Sequence, residues 1–211
     1  MTASLTTAKN FVQTAPAQYI NSTGILNECG TYIKNWGDRA VISGGVRALA
    51  SVEKELTQSL SNENITYQTH TFTGYCSDGN ISRIVDKITA SNANILIGVG
   101  GGKSIDTAKA AANICAIPVI TIPTIAATCA ATSALSIVYD DNGTYEKDIY
   151  FETNPNLVIV PPEVIANAPD EYLISGIFDS LSKWYEGRAV FKAIENPDIY
   201  VTTAIELARM L

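Results

Sequence analysis

The sequence predicts a doubly wound α/β domain with a mostly parallel sheet, followed by the start of an all-helical region. Three observations carry this reading. Apolar runs rich in β-branched residues, such as Ile95–Val99 and Pro118–Ile122, alternate with segments whose apolar residues recur at helical spacing. Such runs lack the period-two alternation of half-exposed strands, so they suit a parallel sheet covered by helices on both faces. Four glycines within five positions (Gly98, Gly100, Gly101, Gly102) end one of these strands and open a helix-compatible segment. Beyond Pro162 only helical patterns follow.

Taken in order, residues 17–20 read as a short strand and residues 22–36 as a helix. Arg39–Ser43 is a buried strand that ends in Gly44-Gly45. Val46–Leu60 is one helix on the spacing of Leu49, Val52, Leu56 and Leu60. Ile65–Phe72 alternates as a strand. Asp78 suits the N-cap of a helix whose Ile81, Ile84, Val85 and Ile88 form one apolar stripe. After the glycine turn a helix runs to Cys115. Leu135–Tyr139 and Ile149–Phe151 make a hairpin around Asp141-Asn142-Gly143. Leu157–Val160 is the last strand, and helices follow at 162–168, 170–191 and from Pro197 on. Residues 1–162 therefore form one α/β domain and 163–211 the beginning of a helical one. The last helix reaches Leu211 without a stop signal, so the chain reads as cut short.

Of the 211 residues, 46% are hydrophobic and 17% charged, which can bury a real core. The formal net charge of -7 argues against nucleic acid or an anionic membrane as main partner. No apolar run approaches the roughly 18 residues of a membrane span. The amino terminus lacks a secretory pattern, so a cytoplasmic location is expected. Cys29, Cys76, Cys115 and Cys129 form no C-x-x-C pair and read as reduced thiols, several of them in the core. The four N-x-S/T sequons read as chance matches without a leader. One histidine, His70, cannot build a histidine-rich metal site or a Ser-His-Asp triad.

The glycine turn is the strongest chemical signal. Glycines let backbone approach a phosphate, and the N–H groups of the new helix point at it, with Lys103 adding charge. It is not G-x-G-x-x-G, because Lys103 stands where the third glycine belongs. It is not a Walker A loop, because Gly98 comes one residue late. A tight bend needs fewer glycines and no lysine, so phosphate binding is favoured. A second stretch, Pro123–Leu135, offers small and hydroxyl residues just past a strand end. It reads equally well as ligand wall or packed loop. In a third, Gly176–Glu186, a carboxylate at Asp179 interrupts an apolar helix. Residues alone favour an Asp179–Lys183 surface pair over a metal ligand.

Together these stretches resemble the metal-containing polyol and alcohol dehydrogenases, the family that includes glycerol dehydrogenase. Gly98–Lys109 is similar to its pyrophosphate signature, and Pro123–Ala126 with Ser133–Tyr139 to its nicotinamide-side loop. Asn154–Val160 and the Asp179 helix match in order and spacing, so the resemblance covers nearly all of the chain. It implies a dehydroquinate synthase-like nucleotide-binding domain, a helical metal-binding domain and an active site between them. It implies hydride transfer between NAD or NADP and a small-molecule substrate whose oxygen a divalent metal, zinc or iron, polarises. A homo-oligomer is expected of the full-length protein. By position, Gly100, Gly101, Gly102, Lys103 and Ser104 would hold the pyrophosphate. Thr124, Thr128, Ser133, Leu135 and Tyr139 would line the nicotinamide and ribose, and Asp179 would be the first metal ligand.

Departures from the family refine the expectation. Cys129 stands where glycerol dehydrogenases carry an aspartate that holds the polyol, and its surroundings resemble the hydroxycarboxylate dehydrogenase branch. A 2-hydroxy acid or its 2-oxo form is therefore expected as substrate, with glycerol the alternative. Lys183 stands where iron-dependent relatives place a histidine, and one helical turn from Asp179 it could pair with a substrate carboxylate. Gly44 replaces the acidic residue of NAD-preferring members, which leaves room for NADP. Asp179 alone is too few ligands for a catalytic metal, so a non-catalytic nucleotide-binding fragment is a further alternative. A dehydroquinate-synthase-like lyase shares the fold, and the match at Pro123–Ala126 argues against it.

Overall fold

The computed structural model describes residues 15–192 and 199–210. Six strands form one fully parallel sheet: β1 (Gln18–Asn21), β2 (Arg39–Gly45), β3 (Thr66–Phe72), β4 (Ile95–Gly100), β5 (Val119–Pro123) and β8 (Leu157–Val160), in spatial order β1-β8-β5-β4-β2-β3. A separate antiparallel pair, β6 (Leu135–Tyr139) and β7 (Tyr145–Tyr150), makes the hairpin. The helices are α1 (Cys29–Ile33), α2 (Val46–Ala50), α3 (Glu53–Asn62), α4 (Asp78–Ser91), α5 (Gly102–Cys115), α6 (Pro162–Ala166), α7 (Asp170–Lys192) and α8 (Ile199–Met210).

The parallel arrangement follows from double burial. All six residues of β4 are buried, and its side chains divide by parity between two cores. Ile95, Ile97 and Val99 pack with Leu56, Leu60 and Ile33 on one face. Leu96 packs with Ile84, Ala108 and Ala111 on the other. Gly98 lies on that second face, where a Cβ would come 2.7 Å from the Cβ of Ala108. The missing side chain is what lets the alanine-rich α5 lie close against β4.

Several boundaries differ from the sequence reading. β4 does not break at Gly98; it continues through Gly100, paired to Pro123 of β5. Residues 22–36 form only a short 3-10 turn at Ile25–Asn27 and the five-residue α1. The expected Val46–Leu60 helix is interrupted at Ser51-Val52, although Val52, Leu56 and Leu60 all reach the core. The N-cap of α4 is Ser77, whose hydroxyl accepts from Asn80 N at 3.4 Å. Asp78 is instead the first helical residue and pairs with Lys147 at 2.9 Å. β7 begins at Tyr145 rather than Ile149, because a mostly exposed hairpin strand needs no apolar pattern. The predicted helix start at Pro197 and residues 1–14 of the α/β domain lie outside the described residues. No helix among the described residues is long and apolar enough to cross a membrane.

The thiols and the histidine yield two predictions. All four cysteines are free, and burial raises the Cys29 and Cys76 thiols to about 11. At neutral pH a maleimide is therefore expected to label exposed Cys129 first and to leave Cys29 and Cys76 untouched in the folded protein, as read by peptide mass spectrometry. His70 sits on the edge strand β3, its Nδ1 3.2 Å from Ser43 Oγ. Burial, then Lys87 and Arg83, hold its pKa below the ordinary 6.5. The unfolded chain thus takes up this proton first as pH falls. Its contribution weakens stability below about pH 6.5 and levels off below the folded pKa. His70→Gln should flatten that part of the decline in denaturant midpoints.

Candidate nucleotide site and family membership

The site is built on the carboxyl ends of the strands. Gly100 has φ +137°, a conformation that favours glycine, and its carbonyl accepts from Thr124 N at 3.1 Å. This fixes the turn after β4 against the turn after β5. Gly101 is the N-cap residue of α5 and no side chain caps that end, so first-turn N–H groups remain for a ligand. A Cβ on Gly101 would fall 2.5 Å from Ile125 Cδ1, and one on Gly102 3.3 Å from Thr128 Oγ1. The segment after β5 therefore closes down on the glycine turn.

A cavity of about 1140 Å³ lies over these strand ends. Its wall takes residues from the turns after β1, β2, β3, β4, β5 and β8, including Gly45, Arg47, Gly101, Thr124, Glu163 and Tyr172. Such a crevice is the general ligand position of a doubly wound sheet. The cradle and the cavity fit a dinucleotide: glycine backbone at the centre, a guanidinium at the β2 end, and hydrogen-bonding groups beyond β5. Glu163 does not face it as a wholly free charge, since Oε1 accepts from Gly24 N at 3.0 Å.

Of the residues singled out from sequence, Gly101 and Thr124 line the cavity. Gly44 does not. Its missing Cβ would meet the Val99 carbonyl at 2.8 Å and Leu49 Cδ2 at 3.0 Å, so packing explains that glycine, and Gly45 is the residue of this turn that faces the cavity. Ser104 is buried and its hydroxyl donates to Val99 O at 2.9 Å, which turns it inward rather than toward a ligand. Lys103 is not among the residues lining the cavity, and its ammonium lies 3.9 Å over the Tyr75 ring. Tyr75 in turn lies 6.0 Å from the Tyr139 ring, so Lys103 and Tyr139 form a second group beside the hairpin. Thr128 and Cys129 are exposed on the segment next to Gly102.

Ser133 and Leu135 meet a charge the sequence reading left without a role. Lys109 is buried beside Asp106, Nζ 2.9 Å from Oδ1. Its ammonium donates to Ser133 Oγ at 3.1 Å and to the Leu135 carbonyl. Burial drives the Asp106 carboxyl up and the Lys109 ammonium down, each opposed by the other's charge. The i, i+3 spacing on α5 was the available signal, although nothing in the sequence marks that face as buried.

Asp179 and Lys183 lie on α7 outside the cavity lining. Lys183 Nζ is 3.5 Å from Asp179 Oδ1 and 3.1 Å from Glu186 Oε2, a partly exposed network. Glu186, then Asp179, raise the Lys183 pKa. Any role for Lys183 toward a substrate carboxylate thus requires it to leave two carboxylates of its own helix. Among the described residues no three His, Cys, Asp or Glu side chains converge to hold a metal ion, so Asp179 does not make a metal centre with them. The helix nevertheless sits on the nucleotide side: a Cβ on Gly176 would collide with the carbonyl oxygen of Ala126.

Comparison with known proteins agrees with this geometry. The chain is 36% identical to a glycerol dehydrogenase of Pseudomonas putida over 179 residues, 85% of this chain and 49% of that one. It is 34% identical to hydroxycarboxylate dehydrogenase A of Escherichia coli (strain K12) over 201 residues, 95% of this chain and 55% of that one. The crystal structure of glycerol dehydrogenase from Schizosaccharomyces pombe superposes with a TM-score of 0.80 at 32% identity, covering 88% of this chain and 47% of that one. The chain spans about half the length of the curated relatives it matches. The model of the family described as iron-containing alcohol dehydrogenase matches residues 16–162, from β1 through the glycine turn to the start of α6. By its fold, its glycine cradle and that match, the chain belongs to the iron-containing alcohol dehydrogenase family.

Proposed function

We propose that this chain is the nucleotide-binding part of a dehydrogenase that transfers a hydride between NAD(P)(H) and a small alcohol or 2-hydroxy acid. The carrying observation is the cavity over the strand ends, bordered by Gly101 and the uncapped amino end of α5. First-turn N–H groups and the α5 dipole bind the pyrophosphate. The β2 turn receives the adenosine ribose, and the segment after β5 receives the other half. When bound, the nicotinamide ring supplies the hydride acceptor or donor. The protein's part is to orient it and to exclude water. We assign residues 1–162 to this domain and 163–211 to the start of a second.

Titration of the chain with NADPH, followed by nicotinamide fluorescence, should show saturable binding that Gly101→Val abolishes. Failure of NADPH and NADH alike to bind would overturn the proposal.

NADP(H) is the proposed preference. Gly44-Gly45 supplies no carboxylate to repel a 2′-phosphate, and Arg47 lines the same end of the cavity. Gly45 tests this cleanly, because a Cβ there meets nothing within 4 Å and its φ of -66° suits any residue. Gly45→Asp should weaken NADPH binding at least about tenfold and leave NADH nearly unchanged, since like charges about 4 Å apart repel by about 4 kcal/mol at an effective dielectric of 20. Equal effects on both cofactors would contradict the assignment.

For the substrate we propose a 2-oxo acid and its 2-hydroxy form, on the thiol at Cys129 in place of a polyol-binding carboxylate. NADPH oxidation with 2-oxobutyrate should then exceed NADP reduction with glycerol. Comparable rates would assign glycerol, and nucleotide binding with no turnover would assign a binding role alone.

A further inference from the structure

We infer that Lys109 is a positioning residue whose ammonium fixes the segment 130–135 against the glycine turn, in the shape that receives the half of the dinucleotide lying on the β5 side. The inference rests on the nucleotide reading above.

Residues 130–134 are neither helix nor strand and Leu135 opens β6, so most of these carbonyls have no ladder to bond. Each of them is nevertheless satisfied. Lys109 Nζ donates to Ala130 O at 2.8 Å, to Ser133 O at 3.2 Å and to Leu135 O. Thr121 Oγ1 donates to Ala131 O at 2.8 Å, and Asn154 Nδ2 to Thr132 O at 2.6 Å. Phe151 N donates to Ala134 O at 2.9 Å. One ammonium thus reaches three of the six carbonyls, and with Ser133 Oγ and Asp106 Oδ1 also beside Nζ its three N–H donors are shared among these oxygens. Lys109 is 2% exposed, and a cation so placed needs a counter-charge. Asp106 supplies it and extends the same anchor: Oδ2 accepts from Ile137 N at 3.2 Å, and its backbone carbonyl accepts from Ser136 Oγ at 2.8 Å.

What the anchor positions is the stretch of chain beside the amino end of α5. The Cβ of Ala130 and Thr128 Oγ1 lie 3.7 and 3.3 Å from where a Cβ of Gly102 would be. Thr128 Oγ1 also accepts from Ala130 N at 3.2 Å, so a shift of Ala130 carries Thr128 with it. A ligand held at the amino end of α5 therefore meets a surface whose shape α5 itself sets, through Lys109 two turns further along. Asp106 and Lys109 do not touch the cofactor; they act through the segment.

The test separates the two halves of the ligand. NADPH and its fragment 2′-phospho-ADP-ribose share the adenosine and pyrophosphate, and only NADPH carries nicotinamide. The paired variant Lys109→Met with Asp106→Asn removes both charges together. It should weaken NADPH about tenfold and leave the fragment within about twofold. Amides of residues 131–137 should exchange faster with solvent deuterium while those of β4 do not. Thr121→Val, which keeps volume and removes one anchor, should give a smaller loss, about threefold, confined to NADPH, and it serves if the paired variant does not fold. Equal losses for the two ligands, or none for either, would overturn the inference. A wild-type chain that binds neither ligand would overturn the nucleotide reading instead.

Discussion

Gly98→Val is expected to destabilise the fold by about 2–3 kcal/mol and to weaken nucleotide binding beyond measurement. A Cβ at 98 would lie 2.7 Å from the Ala108 Cβ, well inside contact distance, and two further methyl groups would follow it. Neither side can yield cheaply. β4 is hydrogen-bonded to β2 and β5, and the α5 face against it is already reduced to alanine at 108, 111 and 112. Overpacking in such places typically costs about 1–3 kcal/mol, and the central position puts this site at the upper end. The strand preference of valine over glycine offsets at most about 1 kcal/mol. The strain relaxes by lifting α5, and its uncapped end carries the N–H groups proposed to bind phosphate. Urea denaturation and NADPH titration of the same variant check both effects. A variant as stable as the wild type would show that Gly98 is not the point of closest approach.

Gly176→Val should instead leave the sheet intact and act on the cavity. Any Cβ at 176 would overlap the Ala126 carbonyl oxygen, and it would approach Ala127 Cα to 3.4 Å. Helix propensity favours the substitution by only about 0.5 kcal/mol, so sterics decide. Either α7 moves away, or the segment after β5 moves toward Gly101. The first withdraws Tyr172 from the cavity wall and the second crowds the cradle. A tenfold or greater loss of NADPH affinity is expected, with a denaturation midpoint close to wild type because most of the apolar face of α7 is exposed. A large drop in midpoint with unchanged affinity would reverse this account.

The sheet was legible in the sequence because each central strand is apolar on both faces, and the glycine cluster located the ligand end. What escaped detection has identifiable physical causes. The break at Ser51-Val52 leaves the phase of Leu56 and Leu60 unchanged, so apolar spacing alone cannot reveal it. β7 is held to β6 by backbone bonds with almost no burial and so carries no hydrophobic signal. Gly44 and Gly45 look alike in sequence, yet one is packed against Val99 and the other borders the cavity. Arg47, Glu163 and Tyr172 come from turns and helices far apart in the chain, and only the topology brings them together. Lys109 reads as an ordinary helix lysine until β6 and the segment before it are folded over α5.

The placement of the cradle on β4 has a consequence for dynamics. β4 has bonded neighbours on both sides and no exposed residue, so its amides can meet solvent only when the whole domain opens. The turn at Gly100 is thus mounted on the segment expected to exchange hydrogen most slowly, while α7, with much of its apolar surface in water, is expected to open more often. A bound nucleotide would then find a centre that scarcely fluctuates and a rim that does, and release should be governed by the rim.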